Sequence, residues 1–461
     1  MSVNGEKRGL TLEGIIESGR GQIHMSGILG ISMSSLAKML SELGICVSGS
    51  DDDLDAPRDE LSEIGIGINN AMRYSYIGSA DALVYSSAIS PSHRDRSYAA
   101  ELGIPQYSRA ELLGALMLKY RHRIGVSGTH GKSTTTAMLA SIFLAAGLRP
   151  TVLCGARMGE SGAYIRGGPD HFIYEACEYR DSFLHFSPTC AIITNIELDH
   201  TDYFKSETAL ADSFLRSVSN AELVVASADY PMSAEVARDI GDKAVTVGRS
   251  AFADYRYEST GLSHNKQGLI LYCKDGTPLE VELGALGEYN VANAAIAAVT
   301  AMLHGVPPDR IISGLSAFSG VEKRLELIGT LGGRDVYRDY AHHPTEIRAV
   351  INALRRLYGS VAVLFRPHTY TRTRDFWREF VRELSLADEV GIYEIYPARE
   401  DPIDGISAER LALCLGGTAL TERSAAGFVE RASSAAVVLM GAGDLRMLET
   451  EISRCIKENG K

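Results

Sequence analysis

"VSGTHGKSTTTAML", residues 126–139, sets two glycines, a lysine and a run of hydroxyls between an apolar strand-like segment and a helical pattern. Glycine permits tight backbone turns that let N–H groups close around an anion, and a helix start presents further unbonded N–H groups. Gly128, Thr129, His130, Gly131, Lys132, Ser133 and Thr134 therefore read as a phosphate-binding loop. In that reading Lys132 reaches the terminal phosphates, and Ser133 or Thr134 binds the magnesium that travels with them. The helix begins near Ser133, carries Met138, Leu139, Ile142 and Phe143 as an apolar stripe, ends at Gly147 and is barred from continuing by Pro150. Counted from Gly125 the spacing is one residue longer than the general pattern, but a Gly-Lys-Ser-Thr run at a strand-to-helix junction is rarely a plain turn.

Outward from this loop, apolar runs alternate with helical patterns closed by glycine, the signature of a doubly wound α/β sheet. Three blocks follow, with expected bounds 1–120, 121–330 and 331–461. The first opens at "GQIHMSGILG" (21–30), passes through "SSLAKMLSELG" (34–44) and returns as "ICVSGSD" (45–51), a compact βαβ unit. In the second, "HFIYEACE" (171–178), "CAIITNIELDH" (190–200) and "ELVVASAD" (222–229) are apolar runs ending in polar residues, as buried parallel strands feeding functional loops do. A polar interval over 250–283 reads as β-rich, and "NVANAAIAAVTAMLHG" (290–305) as a helix. The third runs from "RDVYRDYAHH" (334–343) through strands at "SVAVLFRP", "EVGIYEIYP" and "AAVVLMGAGD".

Composition narrows the function classes. The chain has 461 residues and a net charge of −12, from 46 Lys and Arg against 58 Asp and Glu, which argues against general affinity for nucleic acid or anionic membrane. Its first residues lack the apolar core of a secretory signal, and the apolar stretch near Ala137–Leu148 is too short to span a bilayer, so a cytoplasmic protein without membrane insertion is expected. Seven scattered cysteines with no C-x-x-C pair read as free thiols used in packing.

Further motifs follow the loop "GTHGKST" in order: "TNIELDH", "GEYNVANA", "EKRLE", "RDYAHHPTEI", "RPHTYTRTR" and "GAGD". Over essentially the whole chain this pattern resembles the Mur ligases, the ATP-dependent amide-forming enzymes of peptidoglycan synthesis. The resemblance implies an N-terminal Rossmann-like UDP-binding domain, a central P-loop ATPase-like α/β domain and a C-terminal Rossmann-like domain that receives the amino acid. The loop histidine, "YSSAIS", "AHHPTEI" and "PHTYTRTR" resemble the branch that joins L-alanine to the lactyl carboxylate of UDP-N-acetylmuramate. A homodimer is admitted as an assembly state.

By the same resemblance, Ser133 and Glu178 hold magnesium on the β and γ phosphates, and His200 with Glu178 a second magnesium. Asp199 orients His200. Arg324 approaches the γ phosphate, Asn290 and Asn293 lie beside adenine, and Asp339 lies near the ribose. His342, in a helix start with Pro344 in its first turn, meets the amine of L-alanine, while His368 and Arg372 receive its carboxylate. Lys132, Glu178, His200, Arg324 and His342 would thus carry the chemistry. In the first block Gly27, Gly30, Ser32, Asp51, Ser86 and Ser87 face the sugar nucleotide. From its residues alone, "RTRDFWREF" reads as an exposed helix start with a salt-bridged face.

Some positions depart from the family pattern. Leu29 and Ser32 replace two glycines, Tyr289 a histidine and Thr369 an arginine, while Cys177, Tyr179 and Arg180 remove acids but leave Glu178. No lysine lies between Ser206 and Asn220, so a carbamoylated lysine is not part of the expected chemistry. The alternatives are a ligase attaching recycled tripeptide to the same sugar nucleotide, a P-loop phosphotransferase or nucleotide switch, and a ligase-derived binding protein with little turnover.

Overall fold

The computed structural model describes residues 11–53, 58–69, 75–263 and 266–459. The opening ten residues, part of the stretch read above for a signal, lie outside them. The chain is α/β and divides into two compact units, one of Met1–Gly125, Arg149–Ala191 and Arg216–Glu222, the other of Val126–Leu148, Ile192–Leu215 and Leu223–Lys461.

In the first unit a parallel sheet takes the order Gly67–Asn69, Cys46–Ser50, Gln22–Ser26, Ala82–Tyr85, Gln106–Ser108. Ile23 pairs with Val47 on one side and with Ala82 on the other, so strand order reverses at Gln22–Ser26. Such a reversal leaves a crevice beyond the carboxyl ends of the strands. The helix Ile31–Glu42 starts there with Gly30 as its N-cap. In the same unit Thr151–Leu153 pairs parallel to His171–Glu175 and antiparallel to Tyr164–Ile165.

The second unit holds the phosphate loop and the helix Lys132–Ala145, whose Met138, Leu139, Ile142 and Phe143 are fully buried as the stripe requires. The Ser141 hydroxyl donates to the Gly314 carbonyl (2.7 Å), joining this helix to Pro308–Ala317. The β-rich interval is an antiparallel meander of Tyr255–Ser263, Lys266–Tyr272 and Pro278–Leu283, and the alanine-rich segment is the helix Glu288–Leu303.

Toward the C-terminus a sheet takes the order Glu326–Leu331, Arg334–Asp339, Ala436–Met440, Val361–Phe365, Glu389–Tyr393, Thr418–Leu420, parallel except for its first strand. Alternation places Val361, Val363 and Phe365 in one core and Ala362 and Leu364 in another. A strand buried on both faces needs apolar residues at every position, which is why "VAVLF" has no polar alternation. The helix Pro344–Tyr358 packs Ile347, Ile351 and Leu354 into the first of these cores. Each fully buried side chain of this size contributes about 1.5–3 kcal/mol.

All seven cysteines are free, but packing does not account for all of them: Cys154, Cys190 and Cys455 are buried, whereas Cys46 and Cys414 are exposed.

Candidate active site

The strand His122–Ser127 delivers the chain into the loop, and a neighbouring strand end holds the loop in place. The Thr129 hydroxyl donates to the Glu197 carbonyl (2.8 Å). The His130 N–H donates to Asn195 Oδ1 (2.8 Å), and Asn195 Nδ2 and the Thr194 hydroxyl donate back to the His130 carbonyl (2.9 and 2.6 Å). These bonds leave no room beside the backbone: a Cβ at Gly128 would lie 2.0 Å from Thr194 Oγ1, and one at Gly131 2.5 Å from Asn293 Oδ1. Gly131 also takes φ 81° as the helix N-cap, a conformation that side chains other than glycine's resist. Lys132 Nζ donates to the carbonyls of Gly128 (2.5 Å) and Thr129 (3.1 Å), which holds the ammonium over the loop.

A cavity opens beside the loop, and Gly131, Thr134, Asn293, Arg324, Asp339 and Glu346 are among its lining residues. Asn290 and Asn293 are both buried but serve differently. Asn290 Nδ2 donates to the Leu286 carbonyl (2.7 Å) and its Oδ1 accepts from Asn293 Nδ2 (3.2 Å), so Asn290 braces the residue that lines the cavity. Asp339 accepts the N–H groups of Leu325 (2.6 Å) and Ala341 (2.7 Å). Burial pushes its carboxyl up to about 6 against those donors and Arg324. Arg324 lies over the Tyr340 ring at 5.1 Å. Lys323, its neighbour in sequence, is 3.5 Å from Glu449 and is not equivalent.

His130 points its ring at the C-terminal part of the same unit. Its Nδ1 is 3.1 Å from Glu346 Oε1 and its Nε2 is 3.2 Å from Glu197 Oε2. Burial disfavours the imidazolium, but the two carboxylates outweigh it and hold the pKa up at about 9. His130, Glu197 and His343 bring ligand-type atoms within 4.8 Å of one another. Glu346 takes a hydrogen bond from Nδ1, whereas Nε2 and Glu197 Oε2 face each other at ion-pair distance without hydrogen-bond geometry.

His342 is the opposite case. Its Nδ1 is 3.0 Å from the Tyr340 carbonyl, an acceptor only, so Nδ1 carries the hydrogen and Nε2 the lone pair. Burial lowers its pKa to about 3. The ring is therefore neutral near pH 7 and can accept a hydrogen bond at Nε2, although a pKa this low makes it a weak base. His343 instead caps the helix, its Nδ1 accepting from the Thr345 N–H (3.3 Å).

"RTRDFWREF" is exposed and salt-bridged only in part: Arg374 and Asp375 face solvent and pair with each other, whereas Arg372 turns inward. It forms two short helices, Tyr370–Asp375 and Trp377–Leu384, and Arg372 is only 8% exposed. Arg372 Nε and Nη2 donate to Asp199 Oδ1 (3.1 and 2.9 Å), and its Nη1 is 3.1 Å from His368 Nδ1, which accepts from it. Asp199 also accepts the backbone N–H of His200 (2.7 Å), so it orients that residue through the main chain; His200 takes φ 52°. The Arg372–Asp199 pair was invisible in sequence because 173 positions separate its partners.

Among the expected ligands of magnesium, Ser133 is buried at the helix start and His200 follows the "ELD" segment, both in the second unit. Glu178, 2% exposed, precedes the short helix Tyr179–His185 in the first. The hydroxyl and the carboxylate are hard oxygen donors that suit a magnesium ion, while the imidazole is a borderline nitrogen donor.

In the first unit the Gly27 N–H donates to the Ser50 carbonyl (2.8 Å), and Asp51 Oδ2 accepts the Leu29 N–H (2.8 Å). The side chain at the position of a lost glycine thus leaves its N–H tied to Asp51. Ser32 Oγ accepts from Arg109 (3.1 Å), which engages part of its hydrogen-bonding capacity. Ser86 N–H donates to the Ser26 carbonyl (3.1 Å), while Ser87 is exposed. Gly27, Gly30, Asp51 and Ser86 thus lie on segments that follow adjacent strands of one sheet.

Several residues at the site did not stand out in sequence. Asn195 and Glu197 lay inside a recognised motif as alternating polar residues at a strand end, a usable signal. Tyr230, which also lines the cavity, had none.

Residues 22–121 match the model described as Mur ligase family, catalytic domain; residues 126–301 match Mur ligase middle domain; residues 323–448 match Mur ligase, glutamate ligase domain. The chain is 37% identical to the UDP-N-acetylmuramate–L-alanine ligase of Kineococcus radiotolerans over 98% of its own length and 99% of that relative. It is also 37% identical to the protein of that name from Agathobacter rectalis, over 84% and 86%. Among solved structures, the UDP-N-acetylmuramate-alanine ligase of Thermotoga maritima superposes with a TM-score of 0.79 at 28% identity, covering 95% of this chain and 99% of that one. A MurF ligase from Thermotoga maritima in complex with ADP has a TM-score of 0.61 at 15% identity, covering 82% and 96%, a likeness of fold.

Proposed function

Since the chain belongs to the Mur ligase family, we propose that it joins L-alanine to the lactyl carboxylate of UDP-N-acetylmuramate, with ATP converted to ADP and phosphate, in peptidoglycan precursor synthesis. Forming an amide from a carboxylate in water is uphill, so the carboxylate needs activation. A carboxylate oxygen attacks the γ phosphorus and ADP leaves, giving an acyl phosphate. The amine nitrogen then attacks the acyl carbon, phosphate leaves, and the nitrogen gives up its surplus protons.

Each segment takes part through its own residues. Gly128 to Thr134 cradle the triphosphate, with Lys132 and Arg324 on the charge that develops in transfer. Asn293 and Asp339 line the nucleotide side. His342, neutral and with Nε2 as acceptor, accepts a hydrogen bond from the ammonium of L-alanine and orients it. Arg372 and His368 receive the amino acid's carboxylate, and because Asp199 already holds Arg372, the acceptor shares that guanidinium with Asp199. Gly27, Gly30, Ser32, Asp51, Ser86 and Ser87 face the sugar nucleotide. Ser133, Glu178 and His200 are the residues that would hold magnesium, which would neutralise phosphate charge. In this reading 1–120, 121–330 and 331–461 serve the sugar nucleotide, ATP and amino acid respectively, and the protein works in the cytoplasm.

The observation that carries the reading is the convergence of the phosphate loop, Asn293, Arg324 and Asp339 on one cavity, with neutral His342 three residues beyond Asp339. ADP release is expected only when UDP-N-acetylmuramate and L-alanine are both present, with the amide product identified by mass. Efficient ATP hydrolysis without either partner, or preferential use of tripeptide in direct competition with L-alanine, would refute it.

A further inference from the structure

Glu346 lies within the "AHHPTEI" motif, and its carboxylate collects more functional contacts than a helix cap requires. As the third residue of the helix Pro344–Tyr358 it completes a capping box with His343. One oxygen, Oε2, does that work, accepting the N–H groups of His343 (3.3 Å) and His342 (3.1 Å). The other, Oε1, faces away from the helix backbone. It lies 3.1 Å from His130 Nδ1 in the phosphate loop and 3.8 Å from Arg324 Nη1. The His342 ring stands 3.4 Å from Oε2.

We propose that Glu346 is a positioning residue that ties the phosphate loop and Arg324 to His342, so that nucleotide and acceptor amino acid are registered against one carboxylate. The proposal rests on the functional reading above for the roles of Arg324 and His342. A glutamine would preserve the cap, because its amide oxygen still accepts the two backbone N–H groups. It would not hold two cations on the far side: the charge is gone, and an N–H donor or a neutral oxygen faces His130 and Arg324. The side chain is 13% exposed, so solvent has little access to take over the lost contacts.

The two functions separate in the kinetics of Glu346→Gln. A positioning role predicts a folded protein whose thermal midpoint falls by no more than the lost His130 and Arg324 contacts require, and kcat reduced about 30-fold, in the range for lost charge-assisted contacts. KM should rise at least about threefold for both ATP and L-alanine, while that for UDP-N-acetylmuramate stays within about twofold. Glu346→Asp, which keeps the charge but shortens the reach by one methylene, should recover part of kcat.

A role confined to capping predicts parental kinetics in Glu346→Gln. General destabilisation predicts a lower midpoint and a smaller active fraction with all three KM values unchanged. Either result overturns the proposal, as does a rise in KM for only one of ATP and L-alanine. Calorimetric titration of parent and Glu346→Gln with MgADP separates this failure from failure of the functional reading. If the parent makes no amide, that reading falls, and unchanged MgADP affinity in the variant would then overturn the loop half of the proposal.

Discussion

Gly131 shows how one atom decides whether the nucleotide pocket exists. It takes a positive φ and lies so close to Asn293 that a methyl group would overlap the amide oxygen. Gly131→Ala therefore meets a left-handed backbone penalty of about 1–2 kcal/mol in addition to that clash. Either the loop shifts or Asn293 withdraws from the cavity. We expect nucleotide affinity, read by calorimetry with MgADP, to fall by at least about tenfold while far-ultraviolet circular dichroism stays unchanged, since a loop rather than a core is disturbed. The glycine pattern predicted the turn. That its second partner would be Asn293, 162 positions away, followed only from packing.

At the scale of elements, a buried ion pair joins the end of the "TNIELDH" segment to the helix Tyr370–Asp375. Asp199 is 4% exposed, and Arg372 donates twice to one of its oxygens. Burial would raise the carboxyl's pKa, but Arg372 and the histidines around it hold it far below the usual carboxylate range. A depressed folded-state pKa adds stability that is present above the unfolded value and lost as pH falls below it. Asp199→Asn leaves a buried guanidinium without its counter-charge, a change that costs about 3–5 kcal/mol in comparable pairs. The thermal midpoint should drop, and the drop should shrink toward pH 3, where the parent begins to lose the same interaction; equal midpoints at pH 7 would contradict the assignment. A helix start rich in arginine looks solvent-facing in sequence because charge is normally exposed. Arg374 and Arg378 do face solvent, but Arg372 is buried because a carboxylate distant in sequence met it.

At the scale of the whole molecule, His130 makes stability depend on alkaline pH. Its pKa, held at about 9 chiefly by Glu346 and Glu197 against burial, lies above the unfolded value near 6.5. A raised histidine pKa contributes stability fully below the unfolded value and loses it as pH rises through the folded one, so the loss falls between about pH 6.5 and 9. The magnitude is on the order of 1–3 kcal/mol. Denaturant midpoints of the parent should decline across that window, and His130→Gln should flatten the decline; an equally steep decline in the variant would assign it to other groups.

Local chemistry made much of this protein legible from its sequence: the glycine–lysine loop and the helix after it, the strand at "VAVLF", the β-rich interval, the helix start at Pro344 and the order of the family motifs. Each depends on neighbours along the chain, through backbone conformation, side-chain period and the missing donor of proline. Tertiary structure alone decided that Asn290 braces rather than lines the cavity, that Arg372 is buried against Asp199, that His130 is charged while His342 is neutral, and that Glu346 stands among them. Protonation and burial follow from the groups that surround a residue in space, and the chain sets those only when segments far apart in sequence close upon one another.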